Sequence, residues 1–557
     1  MRLRYLVLVL AFILPAALPA APKPTHPPEA AVASAHPLAS KAGMEILREG
    51  GNAFDAAVAV SAALGVVEPY SSGIGGGGFW LLHQVDGHDV MVDGREYAPG
   101  AATADMYLDA DGNPQLRASK DGPRAAAIPG EPAALAWIAS HYGKLPLAKS
   151  LAPAIRLARD GFPADKRLIE AIRAKESLLK RWPAAGKVFL DHGEVPTEGW
   201  IVHRPDLART LEILAKQGRD GFYRGPLARK LVAGVRAAGG IWTREDLADY
   251  RVVERTPLEG QYKDIHIVSA PPPSSGGVGL IDMLHILNGY DLDSLDAVTR
   301  DHLIIEAMRR AYRDRADYLG DPAFVKMPIA MLTSPFYAAG QRTSIRLDRA
   351  TRSDELAPVL PSQEGHHTTH FSILDRDGNR VATTKTINFW FGSGFMVPGT
   401  GVLLNNEMDD FSMKPGVPNG FGLIGNQANA IAPHKRPLSS MTPTFLDSPR
   451  GIAILGTPGG SRIISMVLLG TLTWADGGDA RAIVSRPRFH HQYIPDEVQY
   501  EPGCFSDKEI AGLKALGHHL KALTRHYGNM QAVTWDYGSG EVKAASDPRG
   551  IGAPNIY

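Results

Sequence analysis

The 557-residue chain sets 59 lysines and arginines against 59 aspartates and glutamates, so its formal net charge is zero. Without a basic surplus to neutralise phosphates, the composition argues against a nucleic-acid binder. A content of 44% hydrophobic and 21% charged residues is ordinary for a globular chain that buries a large core. The single cysteine, Cys504, excludes an internal disulfide and any zinc or iron–sulfur cage of thiolates. Length alone, at about 150 residues per domain, predicts three or four domains.

The amino terminus reads as an export signal. Arg2 and Arg4 precede an apolar run, Tyr5–Ala17, which gives way to Pro15, Pro19 and the small residues Ala20 and Ala21. That run falls short of the roughly 20 apolar residues needed to span a bilayer. Residues 1–20 are thus expected to be a signal peptide and 21–30 a disordered, proline-rich leader, with the protein periplasmic or secreted. A helix is predicted over Leu38–Arg48, ended by Gly50-Gly51. Asn52 can cap a second helix, Ala53–Val67, with Asp55 adding a favourable charge near its positive end, and the helix's nearly continuous apolar surface marks it as buried.

Gly75-Gly76-Gly77-Gly78 precedes a strand at Phe79–Leu82. A phosphate-binding loop would place its glycines after a strand and open a helix with Lys and Ser/Thr, so close backbone approach is the better reading. Val90–Asp93 is a second short strand, ending at Gly94-Arg95-Glu96. The stretch from Gly130 to about Tyr318 reads as helix-rich. In Asp301–Tyr318 the apolar residues recur at helical spacing, with Arg309, Arg310 and Arg313 expected on a solvated face. Pro271-Pro272-Pro273-Ser274-Ser275-Gly276-Gly277 reads as a rigid, then flexible loop. Residues from about 347 to 367 are polar and aperiodic, as in an exposed, mobile segment.

The pattern then turns to strands. Thr369–Leu374 alternates, Asp377-Gly378 is a hairpin turn signal, and Val381–Ile387 is the return strand. A turn centred on Asp377 pairs Thr368 with Thr386; one centred a half-step later pairs it with Ile387. Further strands are predicted at Val402–Leu404 and Ile452–Leu455, the latter leading into Gly456-Thr457-Pro458-Gly459-Gly460-Ser461. If the His367–Thr368 bond were cut, Thr368 would carry both a hydroxyl and an α-amine with a pKa of about 7.7–8.0. Nucleophile and base would then share one residue. Without a cut, Thr368-Thr369 is simply β-propensity at a strand start.

Longer motifs decide between these readings. Thr368-Thr369-His370-Phe371-Ser372, Asn405-Asn406-Glu407-Met408-Asp409-Asp410-Phe411, Arg436-Pro437-Leu438-Ser439-Ser440-Met441 and Pro458-Gly459-Gly460-Ser461 resemble the small-subunit motifs of the γ-glutamyltranspeptidases. Glu49-Gly50-Gly51-Asn52-Ala53 with Asp55, the glycine run, Gly94-Arg95-Glu96 with Ala98-Pro99, and the Pro271–Gly277 loop resemble large-subunit motifs. The likeness runs in order from about Ala31 to the end of the chain.

The resemblance implies an N-terminal-nucleophile hydrolase fold, an αββα sandwich with two stacked, mainly antiparallel sheets between helix layers. It further implies a precursor that cuts itself before Thr368. A large subunit (31–367) and a small one (368–557) would then remain together as a heterodimer within one domain. Thr368 would attack the γ-carbonyl of glutathione or another γ-glutamyl compound and pass the acyl group to water or to an acceptor amino acid or peptide. Thr386 would support the nucleophile, and Gly459 and Gly460 would donate to the oxyanion. Arg95, Ser439 and Ser440 would bind the α-carboxylate, and Asn388, Glu407 and Asp410 the α-ammonium.

Taken singly, Arg95 reads as a surface ion-pair residue, Ser439-Ser440 as a turn, and Glu407 with Asp410 as a solvated face. Some family members carry glutamine at the Glu407 position. Lys414–Asn419 through Asn429-Ala430 resembles a lid loop, with Phe421 where some members have a tyrosine. No cofactor is implied. A metal site at His490-His491 or His518-His519 is not expected, since neither pair has zinc-protease spacing or an evident carboxylate partner. Two alternatives remain: a cephalosporin (glutaryl) acylase of the same fold, and an uncleaved, inactive scaffold.

Overall fold

A computed structural model describes residues 24–356, 368–414, 423 and 427–557. The expected signal, the His367 side of the expected cut and most of the expected lid, including Phe421, lie outside the described residues.

Helix ends form where the capping chemistry dictates. Asn52 Oδ1 accepts from the N–H groups of Phe54 and Asp55 at 3.0 Å, and Asp55 Oδ2 accepts from the Asn52 N–H at 3.0 Å. This reciprocal cap opens the Ala53–Val67 helix, which is buried along its whole length. The four-glycine run is a site of close approach. A Cβ on Gly75 would stand 2.0 Å from the Leu403 carbonyl oxygen, and one on Gly76 would stand 2.0 Å from that of Thr386.

Two sheets form the body. The first has seven strands, in spatial order Asn555–Ile556, Ala31–Ser34, Thr369–Leu374, Arg380–Thr386, Gly77–His83, Asp89–Gly94 and Val253–Arg255. The second has six: Val542–Ser546, Gln531–Asp536, Gly451–Gly456, Thr444–Ser448, Ile265–Ser269 and Leu258–Tyr262. All neighbours within both sheets are antiparallel. The Ala53–Val67 and Glu131–His141 helices pack on the first sheet through Trp80, Val92, Phe371 and Ile373. The Gly276–Leu287 and Ile463–Ala475 helices cover the second, with Ala297–Tyr318 packed behind Gly276–Leu287. The layers are therefore helix, sheet, sheet, helix.

Alternation along Thr369–Leu374 suggests one wet face, yet every residue of the strand is buried. Its polar face points at the second sheet: the Ser372 hydroxyl donates to the Gln531 carbonyl at 3.2 Å, and His370 Nδ1 lies 2.8 Å from Thr384 Oγ1. Burial pushes the His370 imidazole down to about 3, so it is neutral. Gly456 leaves room for that ring, since a Cβ there would stand 2.3 Å from it.

Several expectations are corrected. Arg309 and Arg310 are not solvated; both are buried, paired with Glu306 one turn away. Within the stretch read as helix-rich, Leu258–Tyr262 and Ile265–Ser269 are paired strands. Val402–Leu404 forms no strand; Leu403 makes a single bridge to Met396. The segment from 347 is not uniformly exposed, because Thr351 and Ser353 are buried. The Thr351 N–H donates to Glu306 at 3.1 Å, and the Ser353 N–H donates to Asp496 at 2.8 Å. The Pro271–Gly277 loop is buried throughout rather than flexible.

Candidate active site

Strand Asp89–Gly94 delivers Arg95 to the interior. Asp93 Oδ1 accepts from the Arg95 N–H at 2.8 Å and fixes the turn just past the strand. The guanidinium is 1% exposed. Its Nε donates to the Pro437 carbonyl at 3.2 Å, its Nη1 to Glu407 at 2.8 Å, and its Nη2 to Asp410. Glu96 stands 3.6 Å from Nη1. Arg95 is thus no surface residue, and Glu407 and Asp410 are no solvated face.

Glu407 and Asp410 sit on a single 3-10 turn, Glu407–Asp410. Asn405 anchors it: its Oδ1 accepts from the N–H groups of Glu407 at 2.9 Å and Ala127 at 3.0 Å, and its Nδ2 donates to the Gly75 carbonyl at 2.7 Å. The close-packed glycines therefore help to place the acidic turn.

Around one guanidinium stand three carboxyl groups. Both Glu96 oxygens, Glu407 Oε1 and Asp410 Oδ1 are buried with no hydrogen-bond donor among the described residues. Burial pushes Glu96 up to about 8 against the pull of Arg95. Burial likewise raises Glu407 well above the carboxylate range; Arg95 opposes this, while Glu96 and Asp410 add to it. For Arg95, burial works against the charge, but Glu407, Asp410 and Glu96 outweigh it and raise the guanidinium. With Glu96 and Glu407 raised, the cluster holds protons that an incoming ligand cation can displace, which suits it to receive one.

Thr368 immediately precedes strand Thr369–Leu374, the third of seven in the first sheet and a neighbour of the central strand Arg380–Thr386. The hairpin pairs Lys385 with Thr369, and extending that register sets Thr386 opposite Thr368, as a turn centred on Asp377 requires. Gly378 adopts φ +100° at that turn. Thr368 and Thr386 line one cavity together with Arg95, Asn388, Glu407, Asp410, Ser439, Ser440 and Gly460. Thr386 Oγ1 accepts from the Asn388 N–H at 2.7 Å, and Asn388 Nδ2 donates to the Asn406 carbonyl at 3.0 Å.

Gly459 and Gly460 leave strand Gly451–Gly456 with φ of +148° and +56°, values that favour glycine. Tyr312 anchors this loop by donating to the Ser461 carbonyl. Gly459 lines a second cavity, which Thr368 lines too, together with Glu68, Arg167, Trp390 and Asn529. The nucleophile candidate thus borders two cavities.

The Ser439-Ser440 turn is held by the Pro271–Gly277 loop. Ser275 donates to the Ser439 carbonyl twice, from N at 2.8 Å and from Oγ at 2.7 Å, and Ser274 Oγ donates to the Met441 carbonyl at 2.6 Å. Ser440 Oγ is buried with no partner among the described residues. Sequence reasoning missed Ser275, Asn405, Glu96, Tyr312 and Arg315 as parts of this site. Asn405 and Glu96 lay inside quoted motifs and were available; Arg315 gave no local signal.

The histidines group differently from expectation. His491 does have a carboxylate partner, Asp496 at 3.1 Å, and His518 Nε2 lies 2.8 Å from His302 Nδ1. His302, Glu306 and His518 come close enough to suggest a metal cage. Glu306, however, already accepts from Arg309, Arg310 and the Thr351 N–H, and His302 Nε2 is 2.7 Å from the Arg346 carbonyl. Those ligand atoms are committed to protein partners.

Two stacked antiparallel sheets between helix layers, with a strand-opening threonine beside a glycine pair, define the N-terminal-nucleophile hydrolase class. The chain belongs to the γ-glutamyltranspeptidase family, whose sequence profile matches residues 39–557. It is 41% identical over 534 residues to the glutathione hydrolase proenzyme of Escherichia coli K12, covering 95% of this chain and 92% of that one. It is 45% identical over 491 residues to the glutathione hydrolase proenzyme of Pseudomonas sp. A14, covering 87% and 85%. Among solved structures, the cephalosporin acylase of Bacillus halodurans superposes with a TM-score of 0.83 at 30% identity, covering 98% of this chain and 99% of that one.

Proposed function

We propose that the protein is a γ-glutamyltransferase and glutathione hydrolase that becomes active by cutting itself between His367 and Thr368. The observation that carries this reading is one cavity shared by Thr368, a buried arginine and a surplus of carboxyl groups.

In the mature enzyme the Thr368 α-amine takes the proton from Oγ as Oγ attacks the γ-carbonyl. Backbone N–H groups of Gly459 and Gly460 stabilise the resulting oxyanion. Collapse expels the amine of cysteinylglycine, or of another leaving group, which takes the proton back. The γ-glutamyl ester on Thr368 is then resolved by water or by the amine of an acceptor amino acid or peptide. Arg95 with Ser439 and Ser440 receives the α-carboxylate, and Glu407, Asp410 and Asn388 receive the α-ammonium. An incoming ammonium supplies the charge that the raised Glu407 and Glu96 otherwise meet by holding protons. Large (31–367) and small (368–557) subunits remain a heterodimer, and residues 1–20 direct export to the periplasm or the exterior.

A glutaryl acylase is the second reading, favoured by the whole-length likeness to a cephalosporin acylase. Glutaryl substrates lack the ammonium, so the carboxyl surplus argues against them. Intact mass and amino-terminal sequencing should find a new terminus at Thr368 in the wild type and an uncut chain in Thr368→Ala, with γ-glutamyl anilide turned over faster than glutaryl anilide. An uncut wild-type chain would leave the inactive-scaffold reading; faster glutaryl turnover would leave the acylase.

A further inference from the structure

Arg315 lies three residues beyond Tyr312 on the helix Ala297–Tyr318, so both project from one face. It is 6% exposed and lines the same cavity as Thr368, Ser439, Ser440 and Asp410. Its Nε donates to Ser275 Oγ at 3.0 Å, its sole hydrogen bond among the described residues, and no carboxylate there stands within ion-pair reach. Other buried arginines are better provided for. Arg95 holds two carboxylates and a carbonyl. Arg204, which also lacks a carboxylate, donates to the carbonyls of Gly65, Val66 and Gly401. Burial lowers Arg315 only to about 10, so it stays charged at neutral pH.

A buried guanidinium with spare N–H groups calls for an anion. In the same cavity, Ser440 Oγ is likewise buried without a partner among the described residues. Ser275 joins the two positions, accepting from Arg315 and donating to the Ser439 carbonyl. Arg95, by contrast, already donates to Glu407 and Asp410.

We propose that Arg315 is a second carboxylate-binding residue of the donor pocket, receiving the substrate's α-carboxylate together with Ser440 from the side opposite Arg95. The proposal rests on the γ-glutamyl reading and deepens it. It assigns the carboxylate two cationic contacts: Arg95, paired directly with the ammonium-binding acids, and Arg315, which feels Asp410 only at longer range.

Three anilides separate the possibilities: γ-glutamyl (carboxylate and ammonium), glutaryl (carboxylate only) and 4-aminobutyryl (ammonium only). In Arg315→Met, kcat/KM should fall by about 30-fold or more on the first two, mostly through KM. The 4-aminobutyryl reaction, followed at high enzyme concentration, should change less than about 3-fold, because the lost contact is absent from that substrate. Added guanidinium should restore part of the γ-glutamyl rate. Arg315→Lys, which keeps the charge, should lose less than Arg315→Met and show the same substrate order. Equal loss on all three anilides in both variants, or no loss on γ-glutamyl anilide, overturns the proposal. Should Arg315→Met not fold, the substrate order in Arg315→Lys decides alone. A wild type that ignores γ-glutamyl anilide while hydrolysing glutaryl anilide would instead refute the functional reading, and the glutaryl arm would still report on Arg315.

Discussion

Two regions of this protein bury clusters of charge, and they differ in how completely the charges are satisfied. Behind the second sheet, Glu306 accepts from Arg309 at 3.3 Å, Arg310 at 2.6 Å and the Thr351 N–H at 3.1 Å, and Arg309 reaches on to Asp496 and Ser353. Burial favours protonating Glu306, but the two arginines outweigh it and hold the carboxyl down at about 2. Around Arg95 the balance is reversed: one cation faces three carboxyl groups, four of whose oxygens have no donor among the described residues. The first cluster uses its charges to fasten the chain near residue 351. The second leaves acceptors vacant, at a cost in folding free energy, where a ligand can supply the missing donors.

The largest test of that contrast is Glu306→Ala. It takes from the buried Arg310 the carboxylate it pairs with and from Arg309 one of its two, and should cost about 3–5 kcal/mol in denaturant unfolding, with kcat/KM of the folded fraction unchanged. Asp410→Asn should do the opposite, cutting kcat/KM on γ-glutamyl anilide by roughly 100-fold, as expected for losing a charged contact. Its unfolding midpoint should fall less than that of Glu306→Ala, because Arg95 keeps Glu407 and the asparagine still offers an acceptor oxygen. If Asp410→Asn proved as destabilising as Glu306→Ala, the distinction between fastening and receiving clusters would collapse.

The smallest effect, taken per pH unit, is on the pH dependence of stability. Glu96 is raised from 4.5 to about 8 in the folded protein, so the folded state holds its proton more tightly. The stability this contributes is fully present below about 4.5 and is lost as pH rises through about 8. Glu96→Gln should remove up to about 1.4 kcal/mol per pH unit from the slope of unfolding free energy between those limits. Identical slopes in wild type and variant would show that Glu96 does not titrate there.

What could be read from the sequence was mostly local. The Asn52 cap, the Asp377-Gly378 turn and a register that sets Thr386 or Ile387 opposite Thr368 depend on spacing within a short window, whereas Asp55's return bond to the cap and the choice of Thr386 came from the structure. The donor-pocket residues were legible only as motifs, since nothing local separates a buried Arg95 from an exposed one. Arg309 and Arg310 were misread for a physical reason: helical periodicity marks the apolar face but cannot show that another segment will cover the polar one. Here the cover includes Asp496, 187 residues along the chain from Arg309. Arg315 escaped notice likewise, because its partner Ser275 belongs to a loop that composition alone made look mobile.

The strand order carries one last consequence. Asn555–Ile556 lies beside Ala31–Ser34, and Ala31–Ser34 beside Thr369–Leu374, so the sheet interleaves strands from before and after residue 368. At its edge the main chain of Ala30 exchanges both hydrogen bonds with that of Tyr557, at 2.7 and 2.8 Å. In the second sheet, Ile265–Ser269 is laced to Thr444–Ser448 in the same way. Scission before Thr368 would therefore release an amine but no strand. The severed pieces would stay locked in shared ladders, and only melting the whole body would part them.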